Sequence, residues 1–161
     1  MSSPFHNPES VTIKNLESAF AGESMAHIKY RYFARLAREM GDEDTARAFE
    51  ETADQEVMHA FGHLDLLYPK ATMTPARALQ IAIDGETYEY TEMYPGFRKT
   101  AEAEGQAAAV AEIDEKIAES KEHADRFAAT LARAAKRFAA LAKVEQRHAA
   151  HYQAQLDQVN A

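Results

Sequence analysis

Apolar residues recur along this chain every three or four positions, the spacing of one face of an α-helix. Ile13, Leu16, Phe20, His27, Tyr30 and Leu36 form the first such stripe, with Ser10 or Thr12 as its cap and Gly41 as its end. A second helix is predicted from about Asp44 to Tyr68, with Phe49, Ala53, Val57, Phe61 and Leu64 on its apolar side and Pro69 as its stop. The segment PKATMTP reads as a connector, and Pro75 suits the first turn of a third helix. That helix runs through Leu79, Ile83, Tyr90 and Met93, kinks at Pro95-Gly96 and ends near Gly105. Residues 106–158 hold no proline or glycine and form either one very long helix or two. The pattern therefore predicts an all-α four-helix bundle over residues 10–161, preceded by a polar tail at 1–9. An added helical segment, about 106–131, is expected before the last helix.

Composition narrows the chemistry. The chain has 161 residues, 46% hydrophobic and 27% charged, enough for one core. Its net charge of −8 is spread without a basic stripe, which argues against a nucleic-acid partner. Cysteine is absent, so any metal must be held by nitrogen and oxygen, and disulfides, thiolate sites and cysteine nucleophiles are excluded. Neither a signal peptide nor an uncharged apolar run of membrane-spanning length is present, and a soluble cytoplasmic protein is the expectation.

An internal repeat carries the functional signal. Phe49-x6-Glu56-x2-His59-Ala60 returns as Phe138-x6-Glu145-x2-His148-Ala149, and Gly22-Glu23-Ser24 is echoed by Gly85-Glu86-Thr87. Residues three apart share a helix face, so each Glu-x-x-His pair can aim an oxygen and a nitrogen at one point. Apolar neighbours such as Ala53, Val57, Leu141 and Val144 put those pairs in phase with a core. Ionised carboxylates there are costly unless a cation binds them. One glutamate from each of two helices, plus Glu-x-x-His from each of two others, is the ligand set of di-iron and di-manganese carboxylate bundles. Glu89, one turn beyond Glu86, adds a fifth acid.

The stretches FAGESMAHIKYRYFARLA, FEETADQEVMHAFGHL, GETYEYTEMYPGF and FAALAKVEQRHAAHY resemble the rubrerythrins, a family of the ferritin-like superfamily. The resemblance implies a ferritin-like bundle with iron ligands at Glu23, Glu56, His59, Glu86, Glu89, Glu145 and His148. Glu56 and Glu145 would bridge two iron ions, with manganese or zinc possible in their place. Glu89 and His59 would exchange as ligands with redox state, and Tyr30 and Tyr94 would hydrogen-bond to ligand glutamates. The implied activity is reduction of hydrogen peroxide to water, with catalytic roles for Glu89, Tyr30 and Tyr94. Electrons would come from an external donor such as a rubredoxin-like protein, since the chain has no cysteine. Iron oxidation and storage, or a non-catalytic metal-binding helical module, are the alternatives.

Spacing departs from that family in one place. Glu23 and Glu56 lie 33 positions apart but Glu86 and Glu145 lie 59 apart, which suggests about 26 added residues. Part of the addition, AESKEHADRF, itself resembles the last ligand helix of the family and would put His123 at the ligand position. The matching glutamate would then be Ser120, so His148 is the expected ligand. The connector is also short: about nine extended residues reach about 30 Å. A homodimer with helix pairs exchanged between subunits is expected on that ground. His27, one turn after Glu23, is expected as a hydrogen-bonded histidine, with an added ligand as the alternative.

Overall fold

The computed structural model describes residues 10–159, and all its regular structure is helical. The polar tail at 1–9 lies outside the described residues. Helix α1 is Val11–Glu39 and α2 is Glu43–Leu67; a 3-10 turn at Lys70–Thr72 leads to α3, Pro75–Tyr88. A π-helical turn, Glu89–Met93, joins α3 to α4, Tyr94–Ala103, and α5 is Ala107–Val159. The described chain divides into two compact units that part between Met73 and Thr74.

The first unit is the α1–α2 hairpin. Ser10 caps α1 by accepting from the Ile13 amide, and Asp42 caps α2 by accepting from the Thr45 amide at 3.0 Å. Between them Gly41 takes a φ of +84°, while the Asp42 amide reaches back to the Ala37 carbonyl at 2.9 Å. This six-to-one closure needs a left-handed residue, which glycine supplies without a Cβ clash. The buried residues of α2 are Ala46, Ala53, Ala60 and Leu67, seven apart, and those of α1 are Ala34 and Ala37, near the turn. Small side chains along a heptad seam let the two axes approach closely. Arg38 then clamps the turn end, bonding Glu43 and Glu50 at 2.9–3.1 Å.

The second unit packs α5 on α3, the π turn and α4. Thr74 caps α3 by accepting from the Arg77 amide, and Pro75 occupies its first turn as predicted. The kink expected at Pro95-Gly96 takes the form of the π turn just before it, where the Tyr94 amide bonds to the Glu89 carbonyl. Pro95 has no amide for the Thr91 carbonyl, and a widened turn relieves that missing bond. Gly105, at φ +70°, repeats the turn of the first unit, with the Gln106 amide on the Ala101 carbonyl at 2.9 Å.

Helix α5 is one unbroken element of 53 residues. Its first part supplies buried Ser120 and Ala124, whereas Phe138, Leu141, Tyr152 and Leu156 farther along are exposed. The buried positions of α5 thus fall within the stretch expected as the added segment.

Candidate metal centre

In the first unit three sequence-predicted ligands meet. Glu23 of α1 and Glu56 and His59 of α2 each offer one ligand atom, and these atoms lie within 4.8 Å of one another. Helical spacing puts Glu56 and His59 on one face, and His59 Nδ1 sits 3.0 Å from Glu56 Oε2 and 4.0 Å from Glu23 Oε1. The Ala53 and Ala60 seam brings α1 close enough for Glu23 to complete the group. The Glu23 carboxyl is held above the usual carboxylate range, first by its hydrogen bond with Glu56, then by partial burial and the Glu56 charge; His59 and His63 pull the other way. Two carboxylates held this close repel each other, and a cation between them would relieve that repulsion. Two carboxylates and an imidazole suit iron, manganese or zinc, so the donor chemistry fits the metals expected.

His27 does not join this group. Its Nδ1 lies 2.8 Å from the Ala53 carbonyl, so the ring ties α1 to the backbone of α2, as a hydrogen-bonded histidine would. Beside it an apolar cleft of about 250 Å³ opens among Phe20, Ser24, Ile28, Val57 and Phe61.

The second unit pairs its acids differently from the sequence expectation. His123 Nδ1 lies 3.3 Å from Glu86 Oε1, and the Ser120 hydroxyl donates to Glu89 Oε2 at 3.0 Å. Glu86 therefore meets His123 and not His148. Glu145 and His148 do face each other, at 3.9 Å, but both are exposed on α5. At about 1.5 Å per residue, Glu145 lies about 37 Å along the helix beyond Ser120, so within this unit it cannot reach Glu86. Continuity of α5 is the reason: the expectation required a break or turn that would bring the later repeat back onto α3. The signal for His123 was present in AESKEHADRF, but Ser120 in place of an acid spoke against it.

Neither predicted tyrosine bonds to a glutamate among the described residues. The Tyr30 ring packs on Phe49 at 5.8 Å, joined by Phe33 at 5.6 Å from the same ring, and Tyr94 packs edge-on to Phe97 at 6.3 Å.

A family model described as rubrerythrin matches residues 14–68 and 67–131. The chain belongs to the rubrerythrin family. Nigerythrin of Nitratidesulfovibrio vulgaris is 39% identical over 131 residues, covering 73% of this chain and 64% of that protein. Rubrerythrin of Porphyromonas gingivalis is 38% identical over 135 residues, covering 76% and 67%. This chain thus spans about two thirds of the length of these curated relatives. A solved structure of nigerythrin in its fully reduced, all-ferrous state is 35% identical, covers 81% of this chain and 71% of its own, and aligns with a TM-score of 0.37. The family match ends at residue 131, before Glu145 and His148 and after His123. Membership in this family agrees with the ferritin-like all-α class expected from the sequence. No helix among the described residues is long and apolar enough to cross a membrane.

Proposed function

We propose that this chain is a di-iron peroxidase that reduces hydrogen peroxide to water with electrons from an external, rubredoxin-type donor. The observation that carries the reading is the convergence of Glu23, Glu56 and His59 in a chain of the rubrerythrin family. The donors we assign are Glu23, Glu56 and His59 within the first unit and Glu86, Glu89 and His123 within the second, with His123 in place of His148 and no role for Glu145. In each unit two carboxylates balance the charge of one divalent ion, and the imidazole favours iron over the harder cations. When bound as a ferrous pair, iron supplies the two electrons that break the oxygen–oxygen bond of peroxide. Two protons must arrive with them for both oxygens to leave as water. The apolar cleft beside Ser24 and Val57 is of a size to admit a small oxidant. Tyr30 and Tyr94 are assigned to positioning of this surround.

The test is to load the chain anaerobically with ferrous iron and titrate it with hydrogen peroxide. Expected are two bound ions per chain, two ferrous ions oxidised per peroxide, and a near-ultraviolet band of a diferric product. Glu56→Gln should lose bound iron while Glu145→Gln keeps it. A chain that takes up no iron, or whose ferrous form is inert to peroxide, overturns the reading.

A further inference from the structure

The two units carry the same half-site with one acid moved. In the first, Glu56 and His59 of α2 face Glu23 of α1; in the second, Ser120 and His123 of α5 face Glu86 of α3. The imidazole stands in the same relation in both, 4.0 Å from the acid across the interface in one and 3.3 Å in the other. Ser120 thus occupies the position of Glu56. One turn after the facing acid the exchange runs the other way: Ala26 follows Glu23, whereas Glu89 follows Glu86. Each half-site then holds two carboxylates and one imidazole, but the second carboxylate comes from the histidine-bearing helix in one unit and from its partner in the other.

Ser120 is only 5% exposed, and its hydroxyl reaches across the interface to Glu89 Oε2. A buried hydroxyl bonded to a carboxylate fixes that carboxylate in place, and losing the donor would free it to swing. Glu89 opens the π turn, where the helix widens, so its own backbone constrains it less than a regular turn would.

We propose that Ser120 is a positioning residue, whose hydroxyl holds Glu89 where the second carboxylate of this half-site is needed, in compensation for the acid absent from α5. This rests on the metal-binding reading above and adds to it which side chain sets the geometry. Three variants test it: Ser120→Ala, Ser120→Thr, and Ser120→Glu combined with Glu89→Ala, which returns the acid to α5. Anaerobic ferrous titration, with cobalt(II) absorption as a second probe of coordination, should show affinity for one of the two ions falling about tenfold or more in Ser120→Ala. Ser120→Thr, which keeps the hydroxyl, should restore it, and the double variant should bind two ions better than Glu89→Ala alone. In metal-free protein labelled with carbon-13 glutamate, the Glu89 carboxyl resonance should shift in Ser120→Ala and not in Ser120→Thr. Unchanged affinity in Ser120→Ala, or no gain in the double variant, overturns the proposal. Failure of wild type to bind either metal overturns the metal-binding reading instead, while an unmoved Glu89 resonance overturns the contact itself whatever the metal does.

Discussion

At the scale of single residues, the chain uses polar side chains in two distinct ways. Most charged contacts are exposed and hold helix ends, as Arg38 does with Glu43 and Glu50, or Arg98 with Asp114 at 2.6 Å. A few are partly or fully buried, and these are Glu23, Glu56, Glu86, Glu89 and Ser120. Asp42 shows how a local role sets a pH response. Its carboxyl is held below the usual range by the backbone amide and then the hydroxyl of Thr45. A group whose pKa is lowered on folding contributes stability above its unfolded pKa and loses it as pH falls through the folded value. The contribution of Asp42 is therefore complete at neutral pH and fades below about pH 4. Asp42→Asn keeps a capping oxygen but cannot titrate, so the fall in urea midpoint between pH 7 and pH 3 should be smaller in the variant than in wild type. An equal fall in both would refute this.

At the scale of elements, the cap at Ser10 and the breaks at Gly41 and Gly105 were legible because they depend on neighbours in sequence, whereas the caps Asp42 and Thr74 came from the structure. The α1–α2 seam was partly legible: Ala53 was expected on the apolar face, but the run of Ala46, Ala53, Ala60 and Leu67 as the contact line depends on how closely two helices approach. Ala53 is fully buried and its carbonyl accepts from His27. Ala53→Leu should force the helices apart and destabilise the fold by about 1–3 kcal/mol, read as a lower urea midpoint by circular dichroism. It should also weaken iron binding, because Glu23 and Glu56 belong to opposite sides of that seam. A variant with wild-type stability would mean that the seam does not set the separation.

At the scale of the whole molecule, each unit exposes large apolar side chains in the single chain: Met25, Ile28, Met58 and Phe61 in one, Tyr88, Phe97, Phe138 and Leu141 in the other. Exposed apolar area of this extent calls for a further surface to cover it. With the short connector between Tyr68 and Pro75, this supports the proposal of a homodimer with exchanged helix pairs. Sedimentation equilibrium of the full chain should give twice the chain mass of 18.0 kDa, and a monomer at micromolar concentration would reject it.

The sequence by itself determined the helical class, the first cap and the glycine breaks, and the pairing of Glu56 with His59, because all of these follow from spacing along one chain segment. It also named every acid of the candidate centre, since a glutamate at an apolar phase is conspicuous wherever it folds. Only the tertiary structure decided which imidazole meets Glu86. Two Glu-x-x-His-like segments lie on α5, and periodicity ranks the later one higher because it carries the acid. Packing chooses the earlier one, because an unbroken helix advances by a fixed rise and presents only its first part to α3, where Ser120 and Glu89 meet.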